Sequence, residues 1–389
     1  MEDCITIIEN GMCLSVSTDL KNLIKCHWCD DNILKLLHSI ENIKPFACAN
    51  LKHISTVYLP NAIKCIGRGA FCECISLEAI IFPNSKQEIC IGNQAFWKCY
   101  SLEHINLPLN LTSIPEMCFE DCHNLQQLIT PKGLKRIEKY SFKGCKNLSA
   151  IFIGQNIEYI SPNAFDFTES LISILVHKDN TKFKSLYGIL FEGDIIYRIP
   201  EAYNCIGTTT KRTNMIIAKA LNKCSAIGEG AFRNTNIQYL NIPRNINGIF
   251  YKAFECCFHL KEIHFQDGVN IKYLGWGTFA NCISLKQVII PNSVGIIGHH
   301  AFANCSDLQV VYIPASVWRI KNDAFEKCEN LRAIIFVPSK GKIRHLEEGS
   351  QWIRTGANCR ILVPSSEIDY FKRIFSDKAH KIYPHSRQI

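Results

Sequence analysis

The sequence predicts a β-rich solenoid, and three periodic observations support this fold class. A phenylalanine recurs at intervals of 22 to 25 residues, a cysteine or threonine follows it three residues later, and an aliphatic residue then precedes a short apolar run, often closed by proline. A unit of this length with two short strands cannot bury its inner face alone. Copies must therefore stack, at a strand spacing of about 4.8 Å, to form a continuous core.

The repeating unit has a recognisable anchor, the recurring phenylalanine. Ten copies form two blocks of five, and a degenerate copy begins near Phe46. The anchors are Phe71, Phe96, Phe119, Phe142 and Phe165, then Phe232, Phe254, Phe279, Phe302 and Phe325.

The third residue after each anchor is a cysteine in eight copies and a threonine, Thr168 or Thr235, in the other two. Stacked copies would place these side chains in a column with parallel Cβ directions, which strains a disulfide and gives no zinc tetrahedron. Because threonine replaces cysteine, we predict a structural ladder of small buried groups whose S–H reaches a backbone carbonyl in the turn. The ladder cysteines are Cys74, Cys99, Cys122, Cys145, Cys257, Cys282, Cys305 and Cys328.

The copies, such as AFWKCYSLEHINLP at 95–108 and VGIIGHHAF at 294–302, resemble BspA-like leucine-rich repeats. The resemblance covers roughly residues 46–385 and rests on ten aligned copies. It implies a right-handed coil of short strands with a hairpin insertion and helical caps.

The period is interrupted once, by DNTKFKSLYGILFEGDIIYRIP at 179–200. Two apolar strands joined at Glu192-Gly193-Asp194 indicate a β-hairpin. The segment is similar to the hairpin insertion of the family, although Tyr187 stands where an aspartate is usual.

Both ends are expected to cover the apolar faces of the solenoid. DDNILKLLHSI at 30–40 has an acidic cap and an apolar stripe, which predicts a helix. A second helix is predicted from Ser366 to about Phe375, with Ser365 and Ser366 as capping residues. The resulting division is a partly helical N-terminal cap at 1–45, repeats at 46–178, a hairpin insertion at 179–215, repeats at 216–338 and a C-terminal cap with a helix at 339–389.

Cys26 and Cys29 form a C-x-x-C pair outside the repeats, just before the predicted N-terminal helix. Such a pair at a helix start suits a redox centre or half of a zinc site. No βαβ unit surrounds it, and a second regularly spaced pair is missing. The preferred interpretation is core packing, with no metal bound.

Other classes of function find little support. No nucleophile, metalloprotease or phosphate-loop spacing is present, so we expect neither an enzyme nor a cofactor. The net charge of +8 comes from scattered residues, which argues against nucleic acid as a partner.

No run of apolar residues in the sequence approaches the roughly 18 residues of a membrane span. The first basic residue is Lys21, so a secretory signal is not expected and the chain would stay in the cytoplasm or leave by another route.

The strand of each copy leaves one position facing outward, between two inward-facing aliphatic residues. These outward residues are mostly apolar or aromatic, and adjacent strands would align them into a stripe flanked by polar side chains. An exposed apolar stripe commonly marks a binding surface, although such residues also simply favour exposed strands. The stripe comprises Tyr58, Ile81, Ile129, Phe152, Leu175, His264, Ile289, Tyr312 and Ile335, with Asn106 and Asn241 at the equivalent polar positions.

The sequence thus favours a non-enzymatic protein that binds other proteins through its strand face. The resemblance implies a surface antigen or adhesin that engages host matrix proteins or neighbouring cells. An intracellular leucine-rich repeat scaffold is the alternative. A zinc- or thiol-dependent protein acting through Cys26 and Cys29 is a third hypothesis from a different class.

Overall fold

The computed structural model describes residues 4–9, 11–84, 87–203, 210–338, 346 and 359–385. Parts of the predicted hairpin and C-terminal segments, at 204–209, 339–345 and 347–358, lie outside them. The chain forms two compact units. Unit 1 comprises Met1–Gly193 with Pro200–Ala202, and unit 2 comprises Asp194–Ile199 with Tyr203–Ile389.

Unit 1 consists of short strands separated by turns. Their bounds are β1 Cys4–Glu9, β2 Met12–Ser17, β3 Asn22–Cys29, β4 Ile33–Lys35, β5 Asn42–Ile43, β6 Thr56–Tyr58, β7 Cys65–Ile66, β8 Ala79–Ile81, β9 Cys90–Ile91, β10 His104–Ile105, β11 Ser113–Ile114, β12 Gln127–Ile129, β13 Arg136–Ile137, β14 Ala150–Ile153, β15 Tyr159–Ile160, β16 Ser173–Val176, β17 Phe183–Leu186 and β18 Ile189–Glu192.

The coils of unit 1 build two parallel faces. The first, called the strand face, comprises the sheets β4-β6-β8-β10 and β12-β14-β16. The second face comprises β3-β5-β7-β9 and β11-β13-β15. Its N-terminal end is extended by β2, which pairs antiparallel with β3, and by β1, which pairs antiparallel with β2.

The anchor phenylalanines stack in the core, as the period requires. Phe119 is fully buried, and its ring centroid lies 5.3 Å from that of Phe96 and 5.4 Å from that of Phe142. Each ring therefore packs against the corresponding ring of the next coil, at about one strand spacing. In the degenerate first copy, the backbone hydrogen bond from Cys48 to Ala70 matches that from Phe71 to Ala95, so Cys48 occupies the anchor position.

Around every anchor except Phe165, two residues adopt the left-handed conformation, two positions before and two after the anchor. Met117 and Asp121 around Phe119 have φ values of 56° and 62°. Glycine or asparagine fills some of these positions, as at Gly277 and Asn281, because they tolerate this conformation at low cost.

The insertion contains an antiparallel hairpin of β17 and β18, which turns at Tyr187 and Gly188. Gly188 must remain small, since a Cβ there would lie 2.9 Å from the Ser173 hydroxyl. Strand β18 ends at Glu192, and Gly193 is left-handed with φ 59°. The chain therefore turns at Glu192-Gly193-Asp194, where the sequence predicts a turn.

Unit 2 repeats the two-faced design. Its elements are β19 Ile195–Arg198, α1 Thr210–Leu221, β20 Ala226–Ile227, β21 Tyr239–Ile242, β22 Gly248–Ile249, β23 Glu262–Phe265, β24 Tyr273–Leu274, β25 Gln287–Ile289, β26 Ile296–Ile297, β27 Val310–Ile313, β28 Arg319–Ile320, β29 Ala333–Phe336, β30 Arg360–Pro364, α2 Ile368–Ile374 and β31 Ile382–His385.

In unit 2, the strand face comprises β21-β23 and β25-β27-β29-β30-β31. The second face runs β19-β20-β22-β24-β26-β28. All of these pairings are parallel, for example Gln287 with Val310 in β25 and β27. Each unit is thus a parallel-strand β-solenoid, as the sequence predicted.

The predicted helix at 30–40 is wrong. Residues Ile33–Lys35 form β4, which pairs in parallel with β6 and buries Leu34 while Lys35 faces solvent. The apolar residues also fit an alternating pattern, and the backbone partner offered by the next coil selects the strand. The C-x-x-C pair therefore lies in β3 and not at a helix start.

Of the two helices observed in the described residues, one was missed by the sequence analysis and the other was predicted. Helix α1 was missed, although Thr213, Ile217, Ala220 and Leu221 are buried at helical spacing. Helix α2 lies within the predicted C-terminal segment, after a 3₁₀ turn at Ser365–Glu367. The expected capping by Ser365 or Ser366 is absent, since neither element has a side-chain cap hydrogen bond. Within the described residues, neither α-helix has the length and apolar character needed to cross a bilayer.

Candidate functional site

The outward positions of the strand face arise from strand alternation in every coil. In β12, Leu128 is 1% exposed and points into the core, while Ile129 is 71% exposed. The same alternation separates Ile151 from Phe152 in β14. Parallel in-register pairing then carries each outward position into the next coil, so the stripe is a direct product of the repeat.

In unit 1, the outward residues form two runs. Tyr58 lies opposite Ile81 in the first sheet. Ile129, Phe152 and Leu175 lie opposite one another in the second. These three exposed side chains on adjacent strands are called the unit-1 row.

In unit 2, Asn241 and His264 form a short polar pair on β21 and β23. The sheet that follows aligns a longer run, called the unit-2 row, in which Ile289 and Tyr383 are exposed and the middle members are half-buried. The row consists of Ile289, Tyr312, Ile335, Leu362 and Tyr383.

Sequence reasoning missed two members of this row, Leu362 and Tyr383. Both belong to the closing strands β30 and β31, which follow a break in the period and carry no anchor phenylalanine. The strand sequences ILVP at 361–364 and IYP at 382–384 contain the same apolar-y-apolar or y-Pro pattern as the repeats. That pattern is the signal that could have identified them.

The border of the unit-2 row is cationic. Lys286 and Arg332 are exposed beside β25 and β29. The Arg360 guanidinium lies 5.7 Å from the ring centroid of Tyr383. None of the outward positions of β25, β27, β29 and β30 is acidic. In unit 1, by contrast, Glu78 is exposed beside Tyr58 and Ile81.

A cleft of about 630 Å³ opens on the strand face of unit 2, between β23 and β25. These strands belong to separate sheets, and the interval between their anchors is 25 residues, not the usual 23. His264, Asp267, Gln287 and Ile289 are among the residues that line it. The cleft therefore adjoins one end of the unit-2 row.

The ladder cysteines are buried, and each thiol donates to a backbone carbonyl of the preceding coil. The Sγ of Cys99 lies 3.2 Å from the carbonyl oxygen of Phe71, and that of Cys305 lies 3.1 Å from the oxygen of Phe279. Burial raises the pKa of the Cys99 and Cys122 thiols, and it raises the pKa of Cys74 to about 12. A neutral thiol that is buried and hydrogen-bonded is not a nucleophile at neutral pH.

The two threonines of the ladder donate to a different acceptor from the cysteines. The hydroxyl of Thr168 donates to Phe165, and that of Thr235 to Phe232, both at 2.7 Å and within their own coil. Cys257 also donates to the carbonyl oxygen of Phe232, at 3.0 Å. Cysteine thus joins two coils, whereas threonine closes the turn of one.

Cys26 and Cys29 are buried in β3, where a bulge turns both His27 and Trp28 outward. A hydrogen bond with Cys48 lowers the pKa of Cys26, while burial raises the pKa of Cys29. Within the part of the chain that the structure describes, no group of three or more His, Cys, Asp or Glu side chains is arranged to hold a metal ion. The geometry thus places two buried thiols on one strand, and the thiol of Cys48 contacts one of them, Cys26.

Comparison with known families gives a match over most of the chain. A family model described as "BspA type Leucine rich repeat region (6 copies)" matches residues 26–91, 89–187 and 208–344. None of the curated proteins compared with the sequence matches it.

Several solved structures are similar to this chain. A leucine rich cell surface protein from Faecalibacterium prausnitzii A2-165 has a TM-score of 0.61 at 22% identity, covering 89% of this chain and 98% of its own. The pneumococcal vaccine antigen PcpA has a TM-score of 0.58 at 14% identity, with 100% of both chains covered. A leucine-rich repeat protein from Bacteroides ovatus has a TM-score of 0.53 at 17% identity, with 99% of both covered. At these identities the likeness shows the fold.

Proposed function

Because the chain belongs to the BspA-type leucine-rich repeat family, we propose that it is a non-enzymatic protein that binds other proteins through its strand face. The observation that carries the proposal is the unit-2 row, five in-register apolar and aromatic side chains from Ile289 to Tyr383. A contiguous apolar strip with a polar border is the usual composition of a protein interface.

The chemistry of the border narrows the partner class. Lys286, Arg332 and Arg360 lie along one border of the apolar row, and no outward position of β25, β27, β29 or β30 supplies a compensating carboxylate. A complementary partner presents an apolar ridge bordered by aspartate or glutamate. Tyrosine and arginine are also the residue types that most often dominate interface energies.

The proposed setting is the cell surface, as an antigen or adhesin. Two structural relatives support it, since one is described as a cell surface protein and the other as a vaccine antigen. The partner is then a host matrix or cell-surface protein. Labelling of intact cells with a membrane-impermeant reagent tests the setting: labelling only after lysis would favour an intracellular scaffold.

The interface is tested by substituting one outward-facing residue of each row, Phe152→Ser and Tyr312→Ser, and by capturing proteins from host and self extracts. The matched control substitutes exposed aromatic residues outside the strand face, Phe167→Ser and Tyr251→Ser. Kd values are then measured with each captured partner in pure form.

We expect the stripe variant to weaken binding by at least tenfold, since central aromatic residues commonly contribute about 2 kcal/mol or more. The control variant should bind like the wild type. Binding by the stripe variant equal to that of the wild type, with an unchanged circular dichroism spectrum, would contradict the proposed interface.

A further inference from the structure

Two cysteines outside the ladder lie side by side on the second face of unit 1. Strands β7 and β9 pair in parallel, and Cys65 lies opposite Cys90. Their neighbours Ile66 and Ile91 are buried, so alternation directs both cysteines outward. Cys90 is exposed and Cys65 is half-buried.

These thiols differ from the ladder thiols in their partners. Every ladder cysteine donates to a backbone carbonyl, as Cys122 does to Phe96. Along the described chain, Cys65 and Cys90 make no such bond, and the side chain of Cys65 instead hydrogen-bonds with that of Cys90. Burial and this neighbour raise the pKa of the Cys65 thiol to about 11, so it keeps its proton until a ligand displaces it.

The geometry selects among the chemistries open to two thiols. In-register parallel strands hold the Cα atoms about 4.8 Å apart with parallel Cβ directions, which strains a disulfide. Zinc needs three or four protein ligands, and within the described residues no third His, Cys, Asp or Glu side chain joins this pair. Soft ions that accept two thiolates remain, and among biological metals Cu(I) has that preference.

We propose that Cys65 and Cys90 form a two-coordinate site for Cu(I) on the second face of unit 1. Both S–H bonds break and two S–Cu bonds form, so that one Cu(I) and two thiols give a bis-thiolate complex with one negative charge and two released protons. No electron is transferred. The site is independent of the strand face and of the proposed protein partner.

The test titrates the folded, reduced, full-length chain with Cu(I) under anaerobic conditions, in competition with a chromophoric Cu(I) chelator. Cys65→Ser and Cys90→Ser are the site variants, and Cys4→Ser, which removes a solitary exposed thiol, is the matched control. Phenylarsine oxide gives a second readout, because its arsenic bridges two adjacent thiols with loss of one water.

We expect the wild type and the Cys4 variant to withdraw one equivalent of Cu(I) from the chelator, and each site variant to lose that equivalent. The arsenical should bridge peptides containing Cys65 and Cys90 in the wild type. Equal Cu(I) uptake by wild type and site variants, or an arsenical mapped elsewhere, would overturn the proposal. Both site residues lie outside the buried core, so circular dichroism should show an unchanged fold.

Discussion

The thiol of Cys122 donates a hydrogen bond of 3.2 Å to the carbonyl oxygen of Phe96, the anchor of the preceding coil. The same bond recurs from Cys145 to Phe119 at 3.1 Å. In a solenoid, stability is approximately the sum of each repeat and its contacts with its neighbours. We therefore expect the cysteine ladder to stabilise the contact between coils, a role that the composition of the chain does not suggest.

The first prediction concerns this bond. Cys122→Ala should destabilise unit 1 by about 1–3 kcal/mol, because the substitution removes a buried donor and leaves a small cavity. Cys122→Thr should cost less, since Thr168 and Thr235 show that a hydroxyl fits the position and bonds within its own coil. Urea denaturation of the reduced protein measures both. A threonine variant less stable than the alanine variant would contradict this account.

The second prediction concerns alkaline pH. Burial raises the pKa of Cys74 from 9.0 to about 12, and it also raises those of Cys99 and Cys122. Below pH 9 these thiols are protonated in both states, so their contribution to stability is fully present. Above pH 9 the unfolded chain ionises first, and the free energy of unfolding should fall by roughly 1.4 kcal/mol per pH unit for each such thiol.

Urea midpoints at pH 7, 9 and 10 under reducing conditions measure the alkaline loss. A Cys74→Thr, Cys99→Thr double variant provides the control, since its lysines and tyrosines are unchanged while two titrating thiols are gone. Its midpoint should fall less steeply with pH than that of the wild type. Parallel slopes would exclude the thiols as the cause.

The third prediction concerns the stacked anchors. Phe119→Ala should cost about 3–5 kcal/mol, because a fully buried ring between Phe96 and Phe142 leaves a cavity that two neighbouring coils cannot fill. Phe152→Ala, on the outward side of β14, should cost less than about 1 kcal/mol. Thermal unfolding of the two variants compares them directly, and equal losses would show that the row is part of the core.

The fourth prediction concerns the cationic border of the unit-2 row. The double charge reversal Lys286→Glu, Arg332→Glu should slow association with an acidic partner and reverse the salt dependence of the rate, with little change in stability. Lys52→Glu, Lys135→Glu, exposed positions in unit 1, is the matched control. Stopped-flow association at low and high salt makes the measurement. Unchanged rates would show that the border does not face the partner.

Much of the fold could be predicted because the same pattern of residues that must be buried recurs in ten copies. Phe119, Cys122 and Leu125 each recur at fixed spacing, and a stacked solenoid satisfies all three positions at once. The segment at 30–40 could not be decided this way, since its apolar residues together fit a helical stripe, whereas Leu34 and Leu36 alternate as in a strand. Hydrogen bonds to β6, a strand more than 20 residues away in sequence, settled it.

The candidate site was predictable in part for the same reason. Alternation along one strand identifies Phe152 and Tyr312 as outward residues, and the period aligns them with their neighbours. Leu362 and Tyr383 lie beyond the regular copies, so no periodic argument reaches them. The contact between Cys65 and Cys90 was within reach of the period, because both residues lie six positions before an anchor, Phe71 or Phe96. It was missed because the residue type at that position varies among the other copies.

By itself, the sequence determined the solenoid, the buried anchors and the side of each strand that faces solvent, because these follow from a period that is local to each copy. The tertiary structure alone decided which carbonyl each thiol meets, where the sheets break into separate rows, and that Leu362 and Tyr383 join the unit-2 row. Those properties depend on register between coils, and register is set by backbone hydrogen bonds between residues more than 20 positions apart.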